Sequence, residues 1–419
     1  MKILIISQYF PPENAAIPAT LARSLTKRGH QVRVLTGYPN YPEGELFDGY
    51  RQRWRTRESD GRVEILRVPL WIDHSQNAVR RTLNYASFGL SATTAYDFAR
   101  DADVIYVYAT QMTPALAPWL WRIIGGAPYV LHVQDLWPDS ITGSSLVRGK
   151  AAGIVNAALT PWLASVYRRA AAVVGIAPTM VQTLIERGVD ASRAHMVYNW
   201  ADEPTGGDAV DGCSRDAGAH ILYAGNVGDM QDLETAVLAA HQARDAGVTL
   251  TIVGDGVALP RVRALAEKLG VGNVTFLGRV PPAQMGAHYR AADFALVTLK
   301  DLPAFGGTIP SKLQGALSYG KPIVTTVQGD VRALVEDLGV GFTADAEDAD
   351  ALASAFRRAA ALGGPARADM AGSAKRAYTE RFSLGAGVGA VEQILQEATG
   401  SPAPRMSNTE AKGSVHAVG

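Results

Sequence analysis

The sequence predicts an α/β protein of two tandem doubly wound, Rossmann-like domains facing a cleft. Three observations carry that prediction. The chain has 419 residues, enough for two domains at about 100–200 residues each. Short apolar runs suited to strands buried on both faces alternate with segments of helical spacing. The alternation breaks once near the middle of the chain and then starts again.

Residues 2–8 (KILIISQ) read as the first buried strand. A proline-rich loop fills 11–18, residues 19–28 show helical spacing, and Gly29 is a good helix stop. Residues 32–36 (VRVLT) are the next strand. Strand, helix, strand in this order is the unit of a parallel sheet with a right-handed crossover. Further strands are expected at 63–68, 104–108, 129–133 and 172–176. Residues 202–218 (DEPTGGDAVDGCSRDAG) are poor in apolar side chains and rich in Gly and Asp, the composition of a linker and hinge. Beyond them, strands are expected at 220–224, 250–253, 274–277, 294–298 and 323–326. Helices are expected at 233–246, 259–269, 282–291, 311–319 and 349–362. The expected division is a domain over 1–201, a linker over 202–218, a second domain over 219–382, a last helix within 383–399, and a disordered polar tail over 400–419.

Lys plus Arg and Asp plus Glu both number 40, so the net charge is zero. A polyanion-binding protein is usually basic, so nucleic acid is not an expected partner. The single cysteine, Cys213, allows no intramolecular disulfide and fits a reducing cytoplasm. No apolar run reaches the roughly 18 residues of a membrane-spanning helix. The eight histidines show no paired helical spacing and there is no cysteine cluster, so no metal and no cofactor is expected.

In open α/β sheets, ligands bind outside the carboxyl ends of the strands. Five loops at such places carry unusual residues. Glu13 and Asn14 follow the first strand, where a carboxylate can accept protons from a ligand's hydroxyls. His132, Gln134 and Asp135 stand in HVQDLWPD (132–139), a set suited to orienting a hydroxyl nucleophile. Local spacing alone gives that loop no preference over a capped turn with Trp137 in the core. Gly225, Asn226 and Val227 lie in a strand-to-helix turn whose amides can cradle a pyrophosphate. Gly254 and Gly256 flank Asp255 and let the backbone approach a flat base or ribose. Gly306, Gly307 and Thr308 precede Lys312, a cation in the first turn of a helix. A cation there opposes the helix dipole, which points to an anion in the cleft.

Together KILIISQYFPPE, TGYPNYPEG, HVQDLWPDS, YAGNVG, IVGDG, FLGRV and PSKLQGALSYGKPI resemble, in order and over nearly the whole chain, the retaining glycosyltransferases of family 4. The closest likeness is to the bacterial fucosamine and fucosyl transferases of surface polysaccharide synthesis. The resemblance implies a GT-B fold, an acceptor-binding first domain, a second domain that binds a UDP- or GDP-linked sugar, and a last helix crossing back to the first domain. It also implies retention and independence from metal, so the leaving phosphate takes the hydroxyl proton and His132 and Asp135 mainly orient.

Three departures stand out. Many members carry Arg and Lys where this chain has Asn226 and Gln231. Many carry a Glu pair where it has Gly307 and Gly315. The common His-Asp pair reads Gln134-Asp135. Lys312, Lys300 and Arg279 are the candidate replacement cations, with Lys312 first.

The expected partners are the nucleotide-sugar and a glycan or lipid-linked acceptor. Peripheral contact with the inner face of the plasma membrane is expected through Arg51–Arg57 with Trp54, the PWLWR segment at 118–122, Trp162, and Arg168 with Arg169. Two alternatives stay open: a catalytically degenerate nucleotide-sugar-binding protein, which the lost cations suggest, and a natural-product glycosyltransferase with a soluble acceptor. The sequence does not fix the oligomeric state.

Overall fold

The computed structural model describes residues 1–73, 78–137, 150–201, 218–302 and 305–400. The expected linker apart from Gly218, the expected tail apart from Gly400, and Cys213, Pro138 and Asp139 lie outside the described residues.

The first sheet holds β1 (Lys2–Ser7), β2 (Gln31–Gly37), β3 (Thr56–Asp60), β4 (Val63–Val68), β5 (Val104–Ala109), β6 (Tyr129–Val133), β7 (Ala172–Gly175) and β8 (Ala194–Met196). Their order is β3-β4-β2-β1-β5-β6-β7-β8, parallel except for the β3–β4 pair. The longer helices of this half are α1 (Ala16–Lys27), α2 (Ala78–Thr93), α3 (Leu116–Ile123), α4 (Lys150–Arg169) and α5 (Pro178–Glu186).

β1 is central because its side chains are apolar on both faces. Ile3 and Ile5 join one core layer with Leu21 and Leu25 of α1. Leu4 and Ile6 join the opposite layer with Phe88 of α2. Each fully buried aliphatic side chain contributes roughly 1.5–3 kcal/mol.

The second sheet holds β9 (Ala219–Ala224), β10 (Val248–Val253), β11 (Val274–Gly278), β12 (Phe294–Val297), β13 (Ile323–Thr325) and β14 (Gly341–Thr343). It is parallel throughout, in the order β11-β10-β9-β12-β13-β14. The strand order reverses between β9 and β12, so the ligand crevice of this half lies at their carboxyl ends. Its helices are α6 (Leu233–Gln242), α7 (Leu259–Leu269), α8 (Pro282–Ala291), α9 (Ser311–Ser318), α10 (Asp330–Asp337), α11 (Ala349–Ala361) and α12 (Gly364–Ala377).

The last helix, α13 (Leu384–Ala398), packs on the first half. Its Val388, Val391 and Leu395 share the core of Ile3, Ile5 and Leu21. A Cβ on Gly387 would overlap the Trp200 ring, so only glycine lets α13 approach that closely. Beside it the chain crosses between the halves. Ala201 N–H donates to the Phe382 carbonyl at 3.1 Å, the Tyr378 hydroxyl donates to the Ala201 carbonyl at 3.1 Å, and the Tyr198 and Phe382 rings lie 4.7 Å apart. At the carboxyl ends of the two sheets, Thr179 of α5 meets Asp330 of α10, its N–H and hydroxyl donating to the carboxylate at 3.0 and 2.7 Å.

Candidate active site

The wall from the second half is built on close backbone contact. Gly225 and Gly254 both have positive φ, +141° and +139°, and a Cβ on Gly254 would overlap the Gly225 carbonyl. A Cβ on Gly256 would likewise overlap the Val227 carbonyl. Main-chain bonds stitch these turns together: Gly225 N–H to the Val253 carbonyl at 2.9 Å, Val227 N–H to the Asp255 carbonyl at 2.9 Å, and Gly254 N–H to the Gly278 carbonyl at 2.8 Å. Two of the amides expected to cradle a pyrophosphate are therefore already paired. The Gly225 and Val227 amides are spent inside the protein, and the glycines serve close packing of two turns. Beside them lies a pocket of about 360 Å³ lined by Gly225, Asn226, Gly254, Asp255, Arg279, Val280 and Met285 among others.

Lys312 supplies the charge. It stands in the first turn of α9, its ammonium 4.8 Å from the centre of the Tyr223 ring and its methylenes pressed on Gly225. Burial lowers its pKa to about 8, and no acidic group among the described residues offsets that effect. Sequence pattern alone does not mark Tyr223 as the partner of a cation, although it opens YAGN next to the end of β9. The other candidate cations differ. Arg279 is exposed and its Nε lies 3.3 Å from the Asp255 carboxylate. Lys300 is half-buried in the loop after β12, its N–H donating to the Met230 carbonyl at 3.0 Å. The two substituted positions find each other: Asn226 Nδ2 donates to Gln231 Oε1 at 3.2 Å, and the same oxygen accepts Gly228 N–H at 3.0 Å. Gly306 and Gly307 sit at the junction of the halves, a Cβ on Gly307 falling 3.3 Å from Thr179 Cβ. Thr308 N–H donates to the Phe305 carbonyl at 3.0 Å.

On the facing wall, Asn14 is exposed, but Glu13 is only 3% exposed. Its carboxylate accepts from the N–H groups of Phe10, Asn40 and Tyr41 at 3.2, 2.7 and 2.9 Å. Burial raises its pKa against those three bonds. Instead of reaching a ligand, as the sequence suggests, it ties together the loops after β1 and β2.

His132 is fully buried on central β6, its Nδ1 2.5 Å from the Tyr106 hydroxyl. Burial lowers its pKa to about 4, so the ring is neutral at neutral pH. The ring, expected to orient a nucleophile, is shut off from solvent. Asp135, three residues on, opens to solvent, and the surrounding protein raises its pKa. Gln134 is buried and accepts from Asn199 Nδ2 at 2.7 Å. Nothing in the sequence pattern marks Asn199, because it comes from the crossing between the halves.

Among the described residues no group of three or more His, Cys, Asp or Glu side chains could hold a metal ion, and no helix is long and apolar enough to cross a membrane.

Residues 15–200 match the profile of the glycosyl transferase 4-like domain, and residues 218–361 match that of the glycosyl transferases group 1. The colanic acid biosynthesis glycosyl transferase WcaI of Escherichia coli (strain K12) is 28% identical over 379 residues, 86% of this chain and 93% of the relative. The glycosyltransferase WbjE of Pseudomonas aeruginosa is 24% identical over 71% of this chain and 76% of its own. The structure of Anabaena HepE with UDP and glucose superposes with a TM-score of 0.62 at 17% identity, covering 94% of this chain and 99% of HepE. The two profiles together span most of the chain, one for each half, and the chain belongs to the family 4 glycosyltransferases of the GT-B fold.

Proposed function

We propose that this glycosyltransferase moves a sugar from a UDP- or GDP-linked donor to a glycan or lipid-linked acceptor of surface-polysaccharide assembly, with retention and without a metal ion. The observation that carries the donor assignment is Lys312, a half-buried cation with no acidic partner among the described residues, beside the close-packed Gly225 and Gly254 turns. The names of WcaI and HepE's bound UDP agree with it.

In the reaction the bond from the anomeric carbon to the diphosphate oxygen breaks and the acceptor oxygen bonds to the same face of that carbon. The hydroxyl proton passes to the leaving phosphate. Negative charge grows on that phosphate, and a preorganised cation aimed at it supplies the largest catalytic term. Lys312 fills that role, the pocket beside Arg279 takes the base and ribose, and Asp135 orients the acceptor hydroxyl. Closure of the halves excludes water.

A cytoplasmic enzyme peripheral at the inner membrane face fits this acceptor, and the exposed aliphatic residues Leu120, Ile123 and Ile124 of α3 and its C-terminal end support that placement. The Asn226–Gln231 pair favours a second reading, a donor site that binds without turnover.

A panel of nucleotide-sugars, read by thermal shift and by diphosphate release without added metal, decides between them. A stabilising sugar nucleotide with acceptor-dependent release supports transfer. Stabilisation without release supports the binder, and no shift with any nucleotide overturns both.

A further inference from the structure

The first sheet has a crevice of its own. Its strand order reverses between β1 and β5, so a ligand reaches it at the carboxyl ends of those two strands. Tyr108 stands there, next to last in β5, with Ser7 of β1 and His132 of β6 as its cross-strand partners. Alternation puts it on the same face as Val104 and Tyr106. Those two are fully buried and Tyr108 is half-buried, so the row emerges from the core at Tyr108.

His132 is the wedge in this row. The Tyr106 ring lies 5.8 Å from it and the Tyr108 ring 6.3 Å, both edge on. The Tyr106 hydroxyl fixes the imidazole from below, and the imidazole sets the angle at which the Tyr108 ring leaves the sheet. Just beyond, Gln134 N–H donates to the Ala109 carbonyl at 2.9 Å, which holds the loop after β6 against the end of β5. Asp135 follows directly and opens to solvent. Burial, and after it the Asp135 carboxylate, raise the pKa of the Tyr108 hydroxyl. The phenol therefore keeps its proton. It is an O–H donor beside a group that, once ionised, only accepts.

A carboxylate in an open loop turns broadly about its last torsion, and a turning carboxylate orients nothing. A donor on one of its oxygens removes that freedom and leaves the other oxygen for a ligand. Resting on the part given above to Asp135, we propose that Tyr108 is a positioning residue of the reaction and that His132 supports it. When an acceptor hydroxyl enters the crevice, the Tyr108 O–H donates to one oxygen of Asp135 and the other oxygen takes the acceptor. A water molecule in the acceptor's place is held in the same way. His132 thus serves the site without reaching it.

The test uses the full chain with water as the acceptor. Release of nucleoside diphosphate is followed from UDP-glucose, UDP-N-acetylglucosamine and GDP-mannose, and the donor that the wild type cleaves fastest is kept. Tyr108→Phe should lower kcat about tenfold or more, the effect of one hydrogen bond to a charged group. KM for the donor should stay within about twofold. Asp135→Asn should lower kcat at least as far. The double variant should be no slower than Asp135→Asn alone, because Tyr108 acts only through Asp135. An unchanged kcat in Tyr108→Phe overturns the proposal, and so does a double variant whose loss is the product of the two single losses. Should Tyr108→Phe not fold, Tyr108→Met takes its place in the same comparison. Asp135→Asn without any loss overturns instead the role of Asp135 on which the proposal rests. No release by the wild type from any of the three donors overturns the transferase reading, and the proposal with it.

Discussion

At the scale of single residues, Lys312 and His132 lead to opposite predictions from the same cause, desolvation. Lys312 is held with a pKa of about 8, below its unfolded value of about 10.4. The folded state therefore binds fewer protons between those values, and the cost is fully present below pH 8. Lys312→Ala should leave Tm at pH 7 equal or higher while lowering kcat/KM by about 10²–10³. Wild-type donor affinity should fall as pH rises through about 8, and the variant should lack that limb. A variant that is destabilised but fully active would show Lys312 to be structural.

His132, with a pKa of about 4, also binds fewer protons folded than unfolded, here between pH 4 and 6.5. It should cost on the order of 3 kcal/mol of stability as pH falls through that window. Urea unfolding at pH 7, 5 and 4 should show a steeper loss for wild type than for His132→Gln; parallel losses would reject the buried neutral ring. The sequence made Lys312 legible because a cation in a helix's first turn is anomalous. It could not place His132, since alternation along a strand assigns a face but not whether another element covers it. Here α13, from the far end of the chain, packs on its strand β6.

At the scale of elements, the central strands were legible because they are apolar on both faces. The three strands that escaped the sequence, β3, β8 and β14, are short or polar edge strands, and β3 reads TRESD. Such strands are held by pairing to a neighbour, not by their own pattern. Helix phase divides the PWLWR part of the membrane expectation between core and surface. In PWLWR, Trp121 turns inward with Ala117 and Pro118, while Leu120, Ile123 and Ile124 turn out. With half-buried Leu116 they form a stripe at helical spacing. The exposed apolar face of α3 is therefore aliphatic. Replacing both Ile123 and Ile124 by Asp should remove roughly 2 kcal/mol or more of apolar burial and reduce sedimentation with anionic vesicles by at least tenfold. Turnover on a water-soluble acceptor should stay unchanged. Undiminished sedimentation would reject α3 as the contact.

At the scale of the whole molecule, the two halves meet in two different ways. Around Ala201 and Phe382 the chain crossings are joined by main-chain bonds and stacked rings, which suits an axis. Across the cleft, Thr179 and Asp330 meet through side-chain bonds in an exposed position, which suits a contact that opens and closes. Gly307 lies against Thr179, so this contact forms where the loop before Lys312 reaches the first half. Removing two exposed bonds to a carboxylate should cost about 2 kcal/mol, a shift of roughly thirtyfold in the ratio of closed to open molecules. Asp330→Ala should therefore raise the radius of gyration in solution scattering. Because an open cleft admits water to the donor, it should also raise donor hydrolysis relative to transfer. Donor affinity should hardly change, since Lys312 and the glycine turns lie wholly within the second half. Identical scattering together with an unchanged ratio of hydrolysis to transfer would mean that the Thr179–Asp330 contact does not govern closure.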